Sequence, residues 1–321
     1  MKKTTISLLS LFLLSSVVTF SAFAQVPSDL LTVFEGAETG DALLSSGTVT
    51  MVYDYVRVDS LSARAKEEDE LFLAKLSPRE VAVLSNTEHV EATFTFDGRR
   101  MHCKEVSVNQ LPTGRWYDRE WHWSYDGEKM ELLRLDGLGD NGLIVPMGSV
   151  RTDNDMPLDR YDPRYYGQNI KGAPVGEFLK GRLGRENVHN VQKGADNVLD
   201  GVPCKAVSGT VPDTGETVTA WLAPGYMYRP KRIEIQSYDR KITVNTKYRE
   251  SDSGVWVPSE ILKETYAVDQ DTKNETLYIR ETLVVKDFQV NRAVDSGEFR
   301  VPFPVGLSIY DYRIGRSTEI E

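Results

Sequence analysis

The sequence predicts an α+β domain built mostly from antiparallel β-sheet, with only a few short helices. From about residue 186 to residue 290, short runs rich in β-branched and aromatic residues alternate with turn residues. In the segment RIEIQSYDRKITVNTKYRE, apolar and polar residues alternate, which is typical of a sheet with one apolar and one solvated face. Helical character is confined to three segments, near 28–36, 61–85 and 175–181.

The chain begins with the three parts of a secretory signal. A positively charged start and an apolar run lead to AFA, which fits the rule for signal cleavage. Because Gln25 rather than cysteine follows, we do not expect a lipid-anchored N-terminus. We therefore predict a signal peptide over 1–24 and a periplasmic mature chain over 25–321 without a transmembrane segment. The alternative is an uncleaved anchor, for which the apolar run is short.

The first half is predicted to contain a short helix near 28–36, a strand in GTVTMVYDYVRV and a helix over about 61–85. The second part of that longer helix opens with SPRE, a helix-start signal. Two strand pairs follow, with turns at Asp97-Gly98 and Asp126-Gly127.

The rest of the chain is predicted to continue as a single domain with one irregular insertion. Residues 136–185 are rich in Gly, Pro and Asp and form that insertion, with a short helix at VGEFLKG. Strands are then expected near 186–199, 203–211, 216–222, 231–238, 241–249, 255–268 and 276–290.

Charge and motifs exclude several functions. The net charge of −10 without a basic run argues against nucleic acid as a partner. The stretch GLGDNG at 137–142 matches a dinucleotide pattern, but LIVPMGS follows it instead of a helix, so we predict no cofactor there. No nucleophile motif occurs, and we predict a protein that is not an enzyme. A glycosidase-type carboxylate pair stays open, because acidic residues are plentiful.

No metal site is predicted. The acidic stretch RTDNDMPLDRYD suggests calcium. An EF-hand loop starting at Asp153 would need Gly at its sixth position and Glu at its twelfth, but this sequence has Leu158 and Arg164 there. A looser surface calcium site remains an alternative to a solvated acidic loop. The four histidines are scattered and lack zinc-type spacing.

The two cysteines, Cys103 and Cys204, are expected to form a disulfide if the chain is exported, since that compartment is oxidising. In the chain-entropy model, closing the loop between Cys103 and Cys204 contributes about 4–5 kcal/mol of stability. Two buried free thiols are the alternative.

An aromatic stripe is the most informative candidate for a site. Tyr117, Trp121, Trp123 and Tyr125 fall on one face of a strand, with Glu120 and His122 on the other face. Large aromatic residues with this spacing either pack in the core or line a ligand cavity, and both interpretations stay open.

The second half carries a family resemblance. The segments DGVPC, WLAP, YRPKRI, GVWVP and FPVG resemble exported proteins of the LolA-like, outer-membrane lipoprotein-sorting superfamily. The resemblance covers about residues 186–313 and implies a curved, half-open β-barrel whose concave apolar face is partly covered by short helices. It also implies that Trp221, Ile233 and Ile235 line or back a cavity for acyl chains.

The leading prediction is a periplasmic, non-enzymatic protein that binds a lipid or an acylated lipoprotein in a hydrophobic cavity. One alternative is an envelope sensor or scaffold that binds another protein. A second alternative is a glycan-binding protein that would use Trp121 and Trp123 as exposed platforms.

Overall fold

The computed structural model describes residues 26–57, 87–110, 116–135, 146–152, 170–171, 173–183 and 186–321, together with Asp162, Arg164 and Tyr166. The predicted signal peptide and the helix predicted over 61–85 lie outside these residues, as do most of the acidic stretch at 151–162 and the 137–142 glycine pattern. Among the described residues, no helix has the length and hydropathy needed to cross a bilayer.

Two α-helices occur in the described part of the chain. Helix α1 covers Leu31–Ala42, directly after a 3-10 turn at Ser28–Leu30, and helix α2 covers Val175–Leu179. Leu30, Val33 and Ala37, spaced by three and four residues, are buried in the main core. The C-terminal end of α1 is tied to the sheet, because the Arg229 guanidinium donates to the Gly40 carbonyl (2.8 Å).

The strands are β1 Ser46–Arg57, β2 Thr87–Asp97, β3 Arg100–Gln110, β4 Trp116–Tyr125, β5 Lys129–Arg134, β6 Met147–Thr152, β7 Arg182–Leu183, β8 Glu186–Asn187, β9 His189–Lys193, β10 Asn197–Leu199, β11 Val202–Val211, β12 Glu216–Ala223, β13 Arg229–Gln236, β14 Arg240–Glu250, β15 Trp256–Val268, β16 Glu275–Val290, β17 Ser308–Asp311 and β18 Arg316–Glu319.

Sixteen of these strands form one sheet, in the order β10-β11-β12-β13-β14-β15-β16-β1-β2-β3-β4-β5-β6-β17-β18, with β9 also paired to β11. All pairs are antiparallel except β6 with β17. This architecture confirms the predicted class, a mostly antiparallel sheet with few helices in the described residues. The sheet is not closed into a barrel, so the half-open barrel remains a prediction.

The two faces of the sheet have different roles. We call the face that packs against α1 and α2 the inner face and the opposite one the outer face. Gly209 of β11 lies on the inner face against α2, since a Cβ at this position would come within 3.4 Å of the Phe178 ring. Residues that lie opposite each other on neighbouring strands point to the same face of the sheet. Gly209 lies opposite Val218, and Val218 lies opposite Ile235, so all three are on the inner face. The main core lies on the inner face.

The outer face of β3 to β6 is covered by the C-terminal end of the chain. Phe299, Val301 and Ile309 are buried there. The Arg100 guanidinium lies 4.8 Å from the Phe299 ring centroid, and the Val301 backbone N–H donates to Glu131 (3.3 Å). Strand β6 lies within the stretch predicted to be an irregular insertion.

The predicted strands of the second half agree with β11 to β16 to within two residues at each end. The single strand expected over 186–199 is instead three short strands, β8, β9 and β10.

Candidate functional site

Four of the predicted cavity residues lie on the inner face and are packed in the core. Trp123 is 3% exposed, Tyr125 3%, Ile233 1% and Ile235 9%. The Trp123 ring lies against Phe94, with ring centroids 5.9 Å apart. The Tyr125 hydroxyl donates to the Gly127 carbonyl (2.7 Å), which satisfies its polar atom. Their contacts are those of core residues, and a role in ligand binding stays a prediction.

Two other predicted cavity residues differ from these four. Tyr117 lies in β4 opposite Asn109, but its side chain is outside the described residues. Trp221 lies on the outer face, because its neighbours Ala220 and Leu222 are buried on the inner face. It packs beside Arg232, whose guanidinium is 5.4 Å from the indole. The expectation that Trp221 lines an inner cavity is therefore corrected.

The predicted disulfide is also corrected. Cys103 and Cys204 are both buried, free thiols. Cys103 lies in the main core on the inner face of β3, whereas Cys204 lies on the outer face of β11. Seven strands, β12 to β16 with β1 and β2, separate β11 from β3 in the sheet. Burial raises the pKa of the Cys103 thiol well above its ordinary range, which disfavours the reactive thiolate form.

Trp121, on the inner face of β4, is the centre of a different kind of cluster. It lies opposite Glu105 of β3 and Arg134 of β5. The guanidinium of Arg119 is 4.5 Å from its ring centroid, and that of Arg134 is 4.4 Å away. Both distances fit cation–π contacts. Arg119 also pairs with Glu88 of β2 at 2.8 Å, with both side chains largely buried. We call these five residues the Trp121 cluster.

Two hydrogen-bond donors of the Trp121 cluster are buried without an acceptor in the described part of the chain. They are the indole Nε1 of Trp121 and the Nε of Arg119. Buried polar atoms are nearly always hydrogen-bonded in folded proteins, so two adjacent exceptions mark this place.

The inner face changes character along its strands. At one end of β1 to β4, Val49, Phe94, Cys103 and Trp123 form an apolar row. At the other end, the register places Tyr55 between Glu88 and Glu281.

Further polar contacts lie at this second end. The Tyr53 hydroxyl donates to Glu281 (2.8 Å), and Glu281 also pairs with Lys263 (2.6 Å). The Trp121 cluster lies where the apolar and polar zones meet.

Sequence reasoning identified Trp121 but missed Glu88, Glu105, Arg119 and Arg134. Arg119 could have been found, because it lies two residues from Trp121 and so falls on the apolar face of a strand. Arg134 and the two glutamates could not have been found, because only the pairing of strands β2 to β5 brings them into the Trp121 cluster.

The described residues contain no group of three or more His, Cys, Asp or Glu side chains placed to hold a metal ion. Of the acidic stretch weighed for calcium, Asp162 is described. Its carboxylate is buried and pairs with Arg164 at 2.7 Å.

Comparison with known proteins gives no family assignment from sequence. No protein-family model matches the chain, and no curated protein matches it. Solved structures do show similarity. One is a DUF1329 family protein from Desulfovibrio piger, with a TM-score of 0.42 and 9% identity over 84% of this chain and 95% of that chain.

Another is a LolA superfamily protein from Nitrosomonas europaea, with a TM-score of 0.37 and 12% identity over 84% of this chain and 98% of that chain.

Proposed function

We propose that this protein is a non-enzymatic, periplasmic protein that binds a lipid or an acylated partner on the inner face of its sheet, as a carrier or in lipid transfer. The observation that carries the proposal is the change along the inner face from an apolar row to a polar end, with the Trp121 cluster between them. An amphiphile has the same two zones, and each methylene group that leaves water contributes about 0.8 kcal/mol.

The contacts for the acyl chain come from inner-face residues that are only partly buried. Tyr55, Leu132 and Ile242 pack against the core yet keep part of their surface exposed. Leu132 lies opposite Trp123, and it precedes Arg134 by two residues on the same face of β5. An acyl chain lying on Leu132 would therefore have its polar end beside the Trp121 cluster.

A matched pair of variants tests this proposal. Leu132→Lys places a charge on the inner face, and Val52→Lys places the same charge on the outer face at a similarly half-buried position. In titrations with a fluorescent fatty-acyl probe, we expect Leu132→Lys to lower affinity at least tenfold and Val52→Lys to leave it unchanged. Circular dichroism shows whether both variants stay folded. If Leu132→Lys does not fold, Leu132→Gln replaces it in the comparison. Equal affinities of the probe for the two variants would reject the inner face as the binding surface.

A protein partner is the second candidate, supported by one observation. Strand β18 is the last strand of the sheet within the described ranges, and Tyr312 and Ile314 beside it are 58% and 63% exposed. An uncovered edge is a place where another chain adds to a sheet. A glycan platform has less support, because Trp121 and Trp123 lie on the inner face and Trp123 is buried.

A further inference from the structure

The two buried donors of the Trp121 cluster restrict what a ligand must offer. Trp121 Nε1 is only a donor, and so is Arg119 Nε. Neither atom has an acceptor among the described residues. A buried donor without an acceptor costs free energy, because it has lost its hydrogen bond to water. The complementary ligand group is therefore a hydrogen-bond acceptor, and an oxygen atom that accepts from these donors would recover that cost.

The charges around Trp121 indicate whether this acceptor is ionised. The charged residues on the inner face of β2 to β5, within the described ranges, are two acids and two bases: Glu88, Glu105, Arg119 and Arg134. Glu88 is already paired with Arg119, and the buried Glu105 lies directly opposite Trp121. The cluster thus has no surplus positive charge, and Glu105 would repel an anion. These charges favour a neutral acceptor.

The position of the cluster indicates which part of the ligand reaches it. Trp123 follows Trp121 by two residues on the inner face of β4, and Ala92 and Glu105 extend the row of Trp121 across β2 and β3. The row with Phe94 and Trp123 is buried in the core, and the partly buried Leu132 extends it onto β5, two residues before Arg134. The acceptor is therefore placed where an apolar chain ends, which is the position of the carbonyl oxygen in an acyl ester.

We propose that the Trp121 cluster recognises the ester carbonyl of an acyl chain, with the Trp121 indole N–H and the Arg119 Nε–H as donors. This inference rests on the proposed function and names its ligand class: neutral acyl esters such as glycerides, rather than free fatty acids. Trp121 and Arg119 select the ester, and the partly buried apolar residues of the inner face, Leu132 among them, hold the chain.

The test compares two probes that differ in one carbonyl group. The ester is glycerol monooleate, and the ether is 1-O-oleyl glycerol, which has the same chain and head group without the carbonyl. Competition against a fluorescent acyl probe gives both affinities for the wild-type protein. We expect the ester to bind about tenfold more tightly, as one hydrogen bond of about 1.4 kcal/mol would give.

The variant Trp121→Phe keeps an aromatic ring and removes the N–H, so it should bind ester and ether equally. Trp256→Phe is the control and should keep the preference for the ester, because Trp256 lies in β15, packs on Tyr226 (ring centroids 4.6 Å apart) and is separated from β4 by four strands of the sheet. The wild-type comparison needs no variant, so it remains decisive even if Trp121→Phe does not fold.

The outcomes separate the two proposals. Equal binding of ester and ether by the wild type, or an ester preference that persists in Trp121→Phe, would overturn the ester site and leave the lipid-binding function standing. Tighter binding of oleate than of the ester would show that the cluster selects an anion and would also overturn it. Binding of neither probe would overturn the ester site and the lipid-binding function together.

Discussion

The imidazole rings of His102 and His122 stack on the outer face, with centroids 6.0 Å apart and planes inclined by 24°. Nε2 of His102 and Nδ1 of His122 are buried without a partner among the described residues. Nε2 of His122 lies 2.6 Å from Glu120, a carboxylate that also pairs with Lys104 at 2.9 Å. The C-terminal part of the chain lies over this pair and contributes Glu298 to the electrostatics of His102. The electrostatic effect of Glu298 therefore couples His102 to the segment that covers the outer face.

Stability should fall in mild acid because of His102. Burial, followed by the charge of His122, lowers the pKa of His102 from 6.5 to about 4, although Glu298 opposes the shift. The unfolded chain therefore binds a proton below pH 6.5 that the folded chain resists until about pH 4. Between these values the free energy of unfolding should decrease by up to about 1.4 kcal/mol per pH unit from this residue.

Urea unfolding from pH 7 to pH 4 measures this effect. His102→Leu should flatten the acid limb of the stability curve, whereas His189→Gln, at an exposed position of β9, should leave it as in the wild type. An unchanged acid limb in His102→Leu would reject the role of this histidine.

Reductant should not change thermal stability, because Cys103 and Cys204 are separate thiols. We expect the same melting temperature with and without dithiothreitol. We also expect Cys103 to react with a thiol reagent only after the protein unfolds, since it is fully buried. A melting temperature that drops in reductant would instead indicate the bond that the sequence led us to expect.

Gly209→Ala should destabilise the packing of Val188 against β11. A Cβ at Gly209 would lie 2.5 Å from the Val188 side chain, whereas its distance of 3.4 Å from the Phe178 ring is an ordinary contact. Overpacking of this kind costs about 1–3 kcal/mol. Gly225→Ala is the control, since a Cβ there meets nothing within 4 Å. Chemical denaturation of both variants measures the difference, and equal stabilities would contradict this packing.

The sequence predicted the sheet well where local alternation and turn residues determine structure. The strands β11 to β16 and the turns at Gly98 and Gly127 follow from such signals. Strand β6 was missed, because MGSVRT shows no clear alternation and pairs with β5 and the distant β17.

The face was predicted correctly for Ile233 and Ile235 but not for Trp221. The expectation for Trp221 came from the family resemblance, whereas its place between Ala220 and Leu222 already indicates the opposite face of the sheet.

The site was only partly predictable for a similar reason. Trp121 has a local signal, but its contacts with Glu105 and Arg134 depend on how β3, β4 and β5 are aligned. The distance between the two cysteines depends on the order of all strands in the sheet, which the sequence does not display.

Native mass spectrometry of the protein, purified from cells without detergent and followed by denaturing extraction, tests lipid binding most directly. The account predicts a stoichiometric additional mass that extracts as an acyl lipid and is reduced in Leu132→Lys but retained in Val52→Lys. A protein that carries no such mass, and that acquires none when it is incubated with acyl lipids, would contradict the account.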